Sequence, residues 1–138
     1  MKKKSAGIFI LNKKRELLLQ LRDNKDGIDY PGYWGLIGGE IIRGESDFDA
    51  IKREIKEEID IAIKKIRFIG KLNIKKSNLI IKDAEISIFK GETDLPANKI
   101  VLKEGKKVKF FKLNEINNPG IIDVLKNYIL KNKEKIFD

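Results

Sequence analysis

At 138 residues, 41% of them hydrophobic, the chain has room for one core and little for a second, so a single domain over residues 1–138 is expected. Its 30 Lys and Arg outnumber 21 Asp and Glu, and the net charge of +9 favours anionic partners. The absence of Cys and His excludes disulfides, thiolate chemistry and imidazole catalysis, which leaves acid–base work to carboxylates, Lys, Tyr or metal-activated water.

The first residues, MKKKSAGIFILNKKRE, imitate a secretion signal in charge, but the apolar run is short and returns at once to Asn12-Lys13-Lys14-Arg15. Residues 6–11 therefore read as a strand, 12–15 as a polar turn and 16–22 as a second strand, the pair forming a hairpin. Residues 23–33 form a loop carrying Tyr30 and Tyr33, with Trp34 next. One tyrosine, Tyr33 being the candidate, is expected to face a substrate, and Trp34 to pack in the core. A short strand at 34–37 leads into Gly38-Gly39, where absent side chains let backbone approach a ligand.

A helix follows, with Ser46 as N-cap and Asp49 three residues on. Phe48, Ile51, Ile55 and Ile59 recur at three- and four-residue spacing as its buried stripe. Glu54, Glu57 and Glu58 fall beside that stripe on neighbouring turns, within a wedge of roughly 100°. Like charges so placed repel, and the repulsion is relieved by a cation. Oxygen ligands suit a hard ion, Mg²⁺ or Mn²⁺.

Farther on, residues 66–75 and 79–90 are β-rich and pair around the turn 76–78; residues 91–98 form a loop. Strands are expected at 99–102 and 108–112, flanking Glu104-Gly105, with a connector at 114–120. The last helix is expected at 121–135, with Ile121, Ile122, Leu125, Ile129 and Leu130 facing inward. Strands interleaved with two helices suggest an α/β/α sandwich around a mixed sheet. No stretch is long enough to span a membrane, and the cysteine-free composition suits the cytoplasm.

The segment from Gly39 to Ile61 has a fixed skeleton: Gly39, five residues, Glu45, seven residues, then Arg53-Glu54-Ile55-Lys56-Glu57-Glu58. Six such positions would recur by chance with a probability on the order of 10⁻⁵. The segment resembles the Nudix box, departing from it at Asp60, where the family has a glycine that closes the helix in a left-handed conformation. Trp34-Gly35-Leu36-Ile37-Gly38-Gly39 is likewise similar to the approach to that box, with Ile37 in place of proline.

The resemblance to MutT-like members implies a Nudix-type fold over essentially the whole chain and hydrolysis of a nucleoside diphosphate linked to another group. It implies metal ligation by Glu54, Glu57, Glu58 and the Gly39 carbonyl. Arg53 and Glu45 become orienting partners, and Glu54 or Glu104 the proton acceptor, with Glu92 and Asp94 as rivals to Glu104. Arg22 is similar to a phosphate-holding arginine, and Asn118, with Asn117, loosely resembles a base-reading asparagine.

Three functions remain open at this point. They are a pyrophosphohydrolase of (d)NTPs, oxidised ones included, or of a nucleotide sugar such as ADP-ribose; an enzyme of RNA 5′ ends; and a binding module without turnover. Nucleic acid is the less favoured partner, and either a monomer or a homodimer is expected.

Overall fold

The computed structural model describes residues 2–100 and 107–138. Strand β1 (Lys3–Leu11) is the centre of a mixed sheet. Its apolar run is nearly continuous because both faces are covered: Ala6, Ile8 and Ile10 point to one layer, Phe9 and Leu11 to the other. One edge of β1 pairs in parallel with β6 (Ala84–Glu92), from Lys3↔Ala84 to Leu11↔Glu92.

The other edge is divided between two antiparallel partners. Strand β4 (Ile37–Glu40) takes Ser5 to Ile8, and β2 (Leu17–Leu21) takes Ile10 and Leu11. Beyond β1, β2 pairs with β3 (Trp34–Gly35) and with β7 (Val108–Phe111). The far side of the sheet ends at β5 (Lys64–Ile74), antiparallel to β6 and interrupted by two register shifts.

Helix α1 (Asp47–Glu58) lays Ala50, Ile51 and Ile55 on the Ala6, Ile8 and Ile10 face. Helices α2 (Asp123–Lys131) and α3 (Lys133–Phe137) cover the other face with Leu125, Ile129 and Ile136. The expected α/β/α sandwich is the observed architecture.

Several elements differ from expectation. Phe48 is 42% exposed and leans on Phe89 under the Lys52 ammonium, because it lies at the margin of the α1 stripe; Ile59, just past the helix, is buried as expected. The turn expected at 76–78 is a longer connection from 75 to 83. Ile80 turns into the core there, and the Ile81 amide donates to Asp29 of the 23–33 loop, so this segment packs against a loop instead of extending β6.

The last helix breaks at Asn132. Ile121 is buried but precedes the helix, bridging to Trp34, and Leu130 is 47% exposed. After the break, α3 is held by the buried Lys90, whose Nζ donates to the carbonyls of Lys135, Ile136 and Asp138. Burial, then the charges of Arg67 and Arg15, pushes the Lys90 pKa down. Lys99 ends a short 3₁₀ turn, and the rest of the strand expected at 99–102, apart from Ile100, lies outside the described residues.

Truncating the fully buried Ile51 to Ala should cost about 2–5 kcal/mol of stability, read as a lower urea midpoint with helical circular dichroism retained.

Candidate active site

Both ends of α1 are fixed locally. Ser46 Oγ accepts the Asp49 amide at 3.1 Å, the expected N-cap. At the other end the amides of Ile59 and Asp60 donate to the Ile55 carbonyl, and Asp60 adopts φ +43°, the left-handed closure expected of it. With Ile51 and Ile55 seated on the sheet, the rotation of the helix is set, and with it the direction of its glutamates.

Arg53 gathers the acidic groups. Its Nε and Nη2 grip the two Glu45 oxygens at 3.0 and 2.8 Å, and Nη1 reaches Glu54 at 3.0 Å and Glu57 at 3.2 Å. Nη2 also donates to the Glu40 carbonyl at 3.1 Å, tying the helix to the end of β4. The fork on Glu45 is bidentate and charge-assisted. Together with the Ile42 amide it draws the Glu45 pKa down to about 2, and Glu45 in turn raises that of Arg53.

Glu54 is the buried member, 7% exposed. Burial raises its pKa; Arg53 opposes the rise, and the negative charges of Glu57 and Glu58 add to it. Its carboxyl lies directly against Gly39. A Cβ there would run into Oε1 and would sit 2.7 Å from Cδ, so the close approach requires glycine. Gly38 is equally constrained, since a Cβ would strike the Ala6 carbonyl oxygen and approach Gly7 Cα to 2.8 Å. Glu58 accepts from Gln20 Nε2 at 3.2 Å.

These residues border a cleft of about 470 Å³. It opens where β4 and β2 share one edge of β1. Gly38, Gly39, Glu54 and Glu58 line it, as do the cations Lys3 and Arg22 and the apolar Leu36, Ile86 and Ile122. Among the described residues no three acidic side chains converge as a ready-made metal cluster, and Arg53 Nη1 bridges Glu54 and Glu57. The donor set nonetheless suits a hard divalent ion: it is all oxygen, it includes a buried carboxylate whose charge is incompletely offset, and it faces a glycine cradle.

The other sequence candidates divide. Arg22 lines the cleft, with Nε donating to the Asp29 carbonyl at 2.7 Å. Tyr33 is not among the lining residues. Tyr30 takes that place, its hydroxyl donating to Asp123 at 3.1 Å and its ring meeting Tyr33 edge-on. Burial, then Asp123, pushes the Tyr30 pKa up to about 12.

Asn118 and Asn117 are exposed and away from the cleft; Asn118 Oδ1 accepts the Gly120 amide, a turn role. Glu92 pairs with Arg15 and Asp94 with Lys64, and neither borders the cleft. Glu104 lies outside the described residues. Trp34 is half-buried against Phe111 on the α2 side. Sequence reasoning missed Lys3, Gln20 and Asp29, and, of the two loop tyrosines it weighed, it favoured the one that does not line the cleft. Only Gln20 had a signal, the two-residue period that puts it on the same face of β2 as Arg22.

The NUDIX domain profile matches residues 1–131, so the chain belongs to that family and is a hydrolase of pyrophosphate bonds. It is 30% identical over 125 residues to an uncharacterised Nudix hydrolase of Listeria innocua, covering 79% of this chain and 73% of that one. An RNA pyrophosphohydrolase of Ruthia magnifica is 37% identical over 67 residues, 49% of this chain and 34% of its own length. The crystal structure of a MutT protein from Methanosarcina mazei superposes with a TM-score of 0.82 at 20% identity, covering 97% of this chain and 94% of that one. Nudix hydrolases generally use divalent metals and act on nucleoside diphosphate derivatives.

Because Glu45 is held below its ordinary pKa of 4.5, its contribution to stability is complete above that pH and is lost as pH falls toward 2. Glu54, raised, acts with the opposite sign, its ionised form costing stability that protonation returns. Without divalent ions, Glu45→Gln should therefore lose less thermal stability than the parent between pH 4.5 and 2, as measured by calorimetry. Gly39→Ala should displace Glu54 and lower turnover with little change in circular dichroism.

Proposed function

We propose that the chain is a metal-dependent pyrophosphohydrolase of nucleoside triphosphates or their deoxy forms, oxidised nucleotides included, acting by water attack at phosphorus. The observation that carries this reading is the Glu54 carboxyl held against Gly39, with Glu57 and Glu58 on adjacent turns and Arg53 among them. Glu54, Glu57, Glu58 and the Gly39 carbonyl would hold Mg²⁺ or Mn²⁺. Such an ion, when bound, neutralises phosphate charge and activates water.

The protein's own groups divide the remaining work. Glu54, buried and aimed at the cleft, accepts the proton of the attacking water. Arg53 and Glu45 keep the helix face aligned with the glycine turn. Arg22 binds substrate phosphate, and the apolar walls at Leu36, Ile86 and Ile122 receive the base. Tyr30, not Tyr33, borders the base. We take residues 1–138 to act as one domain in the cytoplasm; the breadth of the family match and the cysteine-free composition support this.

Removing one carboxylate, as in Glu54→Gln or Glu57→Gln, should lower kcat by at least about 10²-fold, comparable with the loss of one electrostatic stabiliser. Wild-type turnover in both variants would refute the assignment. A panel of nucleotides, dinucleotides and nucleotide sugars with Mg²⁺ or Mn²⁺, scored for pyrophosphate against monophosphate products, identifies the leaving group.

A second reading, action on RNA 5′ ends, is favoured by the partial match to an RNA pyrophosphohydrolase and by the charge of +9. It requires RNA binding that weakens steeply with salt, which filter binding between 50 and 200 mM salt measures. Salt-insensitive, weak binding leaves the mononucleotide reading.

A further inference from the structure

Asp29 joins three separate segments at the rim of the cleft. One side-chain oxygen, Oδ2, accepts Lys3 Nζ at 2.8 Å, and the other, Oδ1, accepts the Ile81 amide at 2.8 Å. Its main-chain oxygen accepts Arg22 Nε at 2.7 Å. One loop residue thereby fixes two cations, both lining the cleft, that come from the start of β1 and from just beyond β2. Burial works against the Asp29 carboxylate, but the Ile81 amide and Lys3 outweigh it and hold its pKa below the ordinary range, so the anchor is ionised.

The two cations share the cleft with the carboxylates without touching them. Ala6 is the register partner of Gly39, which lies against Glu54, and Lys3 stands three residues earlier on β1, on its other face. Gln20 touches Glu58, and Arg22 is two residues farther along on the same face. The carboxylates and the Lys3–Arg22 pair therefore mark two separate points in one cleft.

We propose that Lys3, aimed by Asp29 and acting beside Arg22, is a specificity-determining residue that binds a second anionic group of the substrate, apart from the phosphoanhydride that is cleaved. This rests on the hydrolase reading and narrows it. Preferred substrates carry a phosphate that a nucleoside triphosphate lacks, either on the ribose or at the far end of a longer polyphosphate. Lys3 touches that phosphate, and Asp29 is a positioning residue.

The experiment compares ATP, adenosine 5′-tetraphosphate and adenosine 3′-phosphate 5′-triphosphate, with equilibrium binding by calorimetry measured alongside steady-state kinetics. Whichever of the two extended probes is preferred over ATP identifies where the extra phosphate lies. Lys3→Met should reduce that preference about tenfold, expressed in KM and Kd more than in kcat, as expected for loss of a charge-assisted contact. Lys3→Arg should restore it, and Asp29→Asn should weaken it in the same sense.

A merely structural Lys3–Asp29 pair would instead change all three probes equally. That result, or a wild-type protein that binds ATP as tightly as both extended probes, overturns the proposal. Loss of turnover with the binding preference intact counts against the hydrolase reading alone.

Discussion

One guanidinium offsets the repulsion between two glutamates on adjacent turns of a single helix and ties them to a third that precedes it. Arg53 contacts Glu45, Glu54, Glu57 and the Glu40 carbonyl, so it both offsets like-charge repulsion and fastens α1 to β4. Without it the negative face would be free to splay, and the Glu54 carboxyl would lose the interaction that opposes the rise of its pKa on burial. An ion seated on Glu54 and Glu57 would compete with the hydrogen bonds that Arg53 makes to both.

The sheet makes this arrangement reproducible. Strand β1 alternates its side chains between two covered faces, so a one-residue slip would exchange the whole Ile8–Ile10 set with Phe9–Leu11. With register fixed, Ala6 sits opposite Gly39 and Gly7 opposite Gly38, and only small residues permit the backbone approach seen there. The fork where β4 and β2 diverge from a common edge then supplies a cleft whose polar groups come from the strands, from α1 and from the 23–33 loop.

Much of this was legible in the sequence because it is written at helical or strand period. The α1 cap at Ser46, the Ile51–Ile55 face and the acidic face beside it follow from local spacing, and the left-handed Asp60 from the resemblance to a family that has glycine there. Period alone misassigns stripe margins, which is why Phe48 and Leu130 were placed inside although both are exposed. The cleft is harder to foresee, since its rim is assembled from residues far apart in the chain. Lys3 and Ile81 each meet Asp29 only after the sheet forms, and Tyr30 rather than Tyr33 turns inward because its hydroxyl finds Asp123, ninety-three positions away. Loop 23–33 carries no periodic signal that could rank the two tyrosines.

The terminal strand β5 bears on colloidal behaviour. An eleven-residue edge strand is a template onto which a neighbouring molecule could add its own backbone. Here the strand carries Lys64, Lys65, Arg67 and Lys71, all exposed, and is contorted by two register irregularities, with Lys65 at φ +57°. Electrostatic repulsion and a warped rim together oppose intermolecular zippering, so the longest outer strand of the sheet is also poorly suited to seed fibrils.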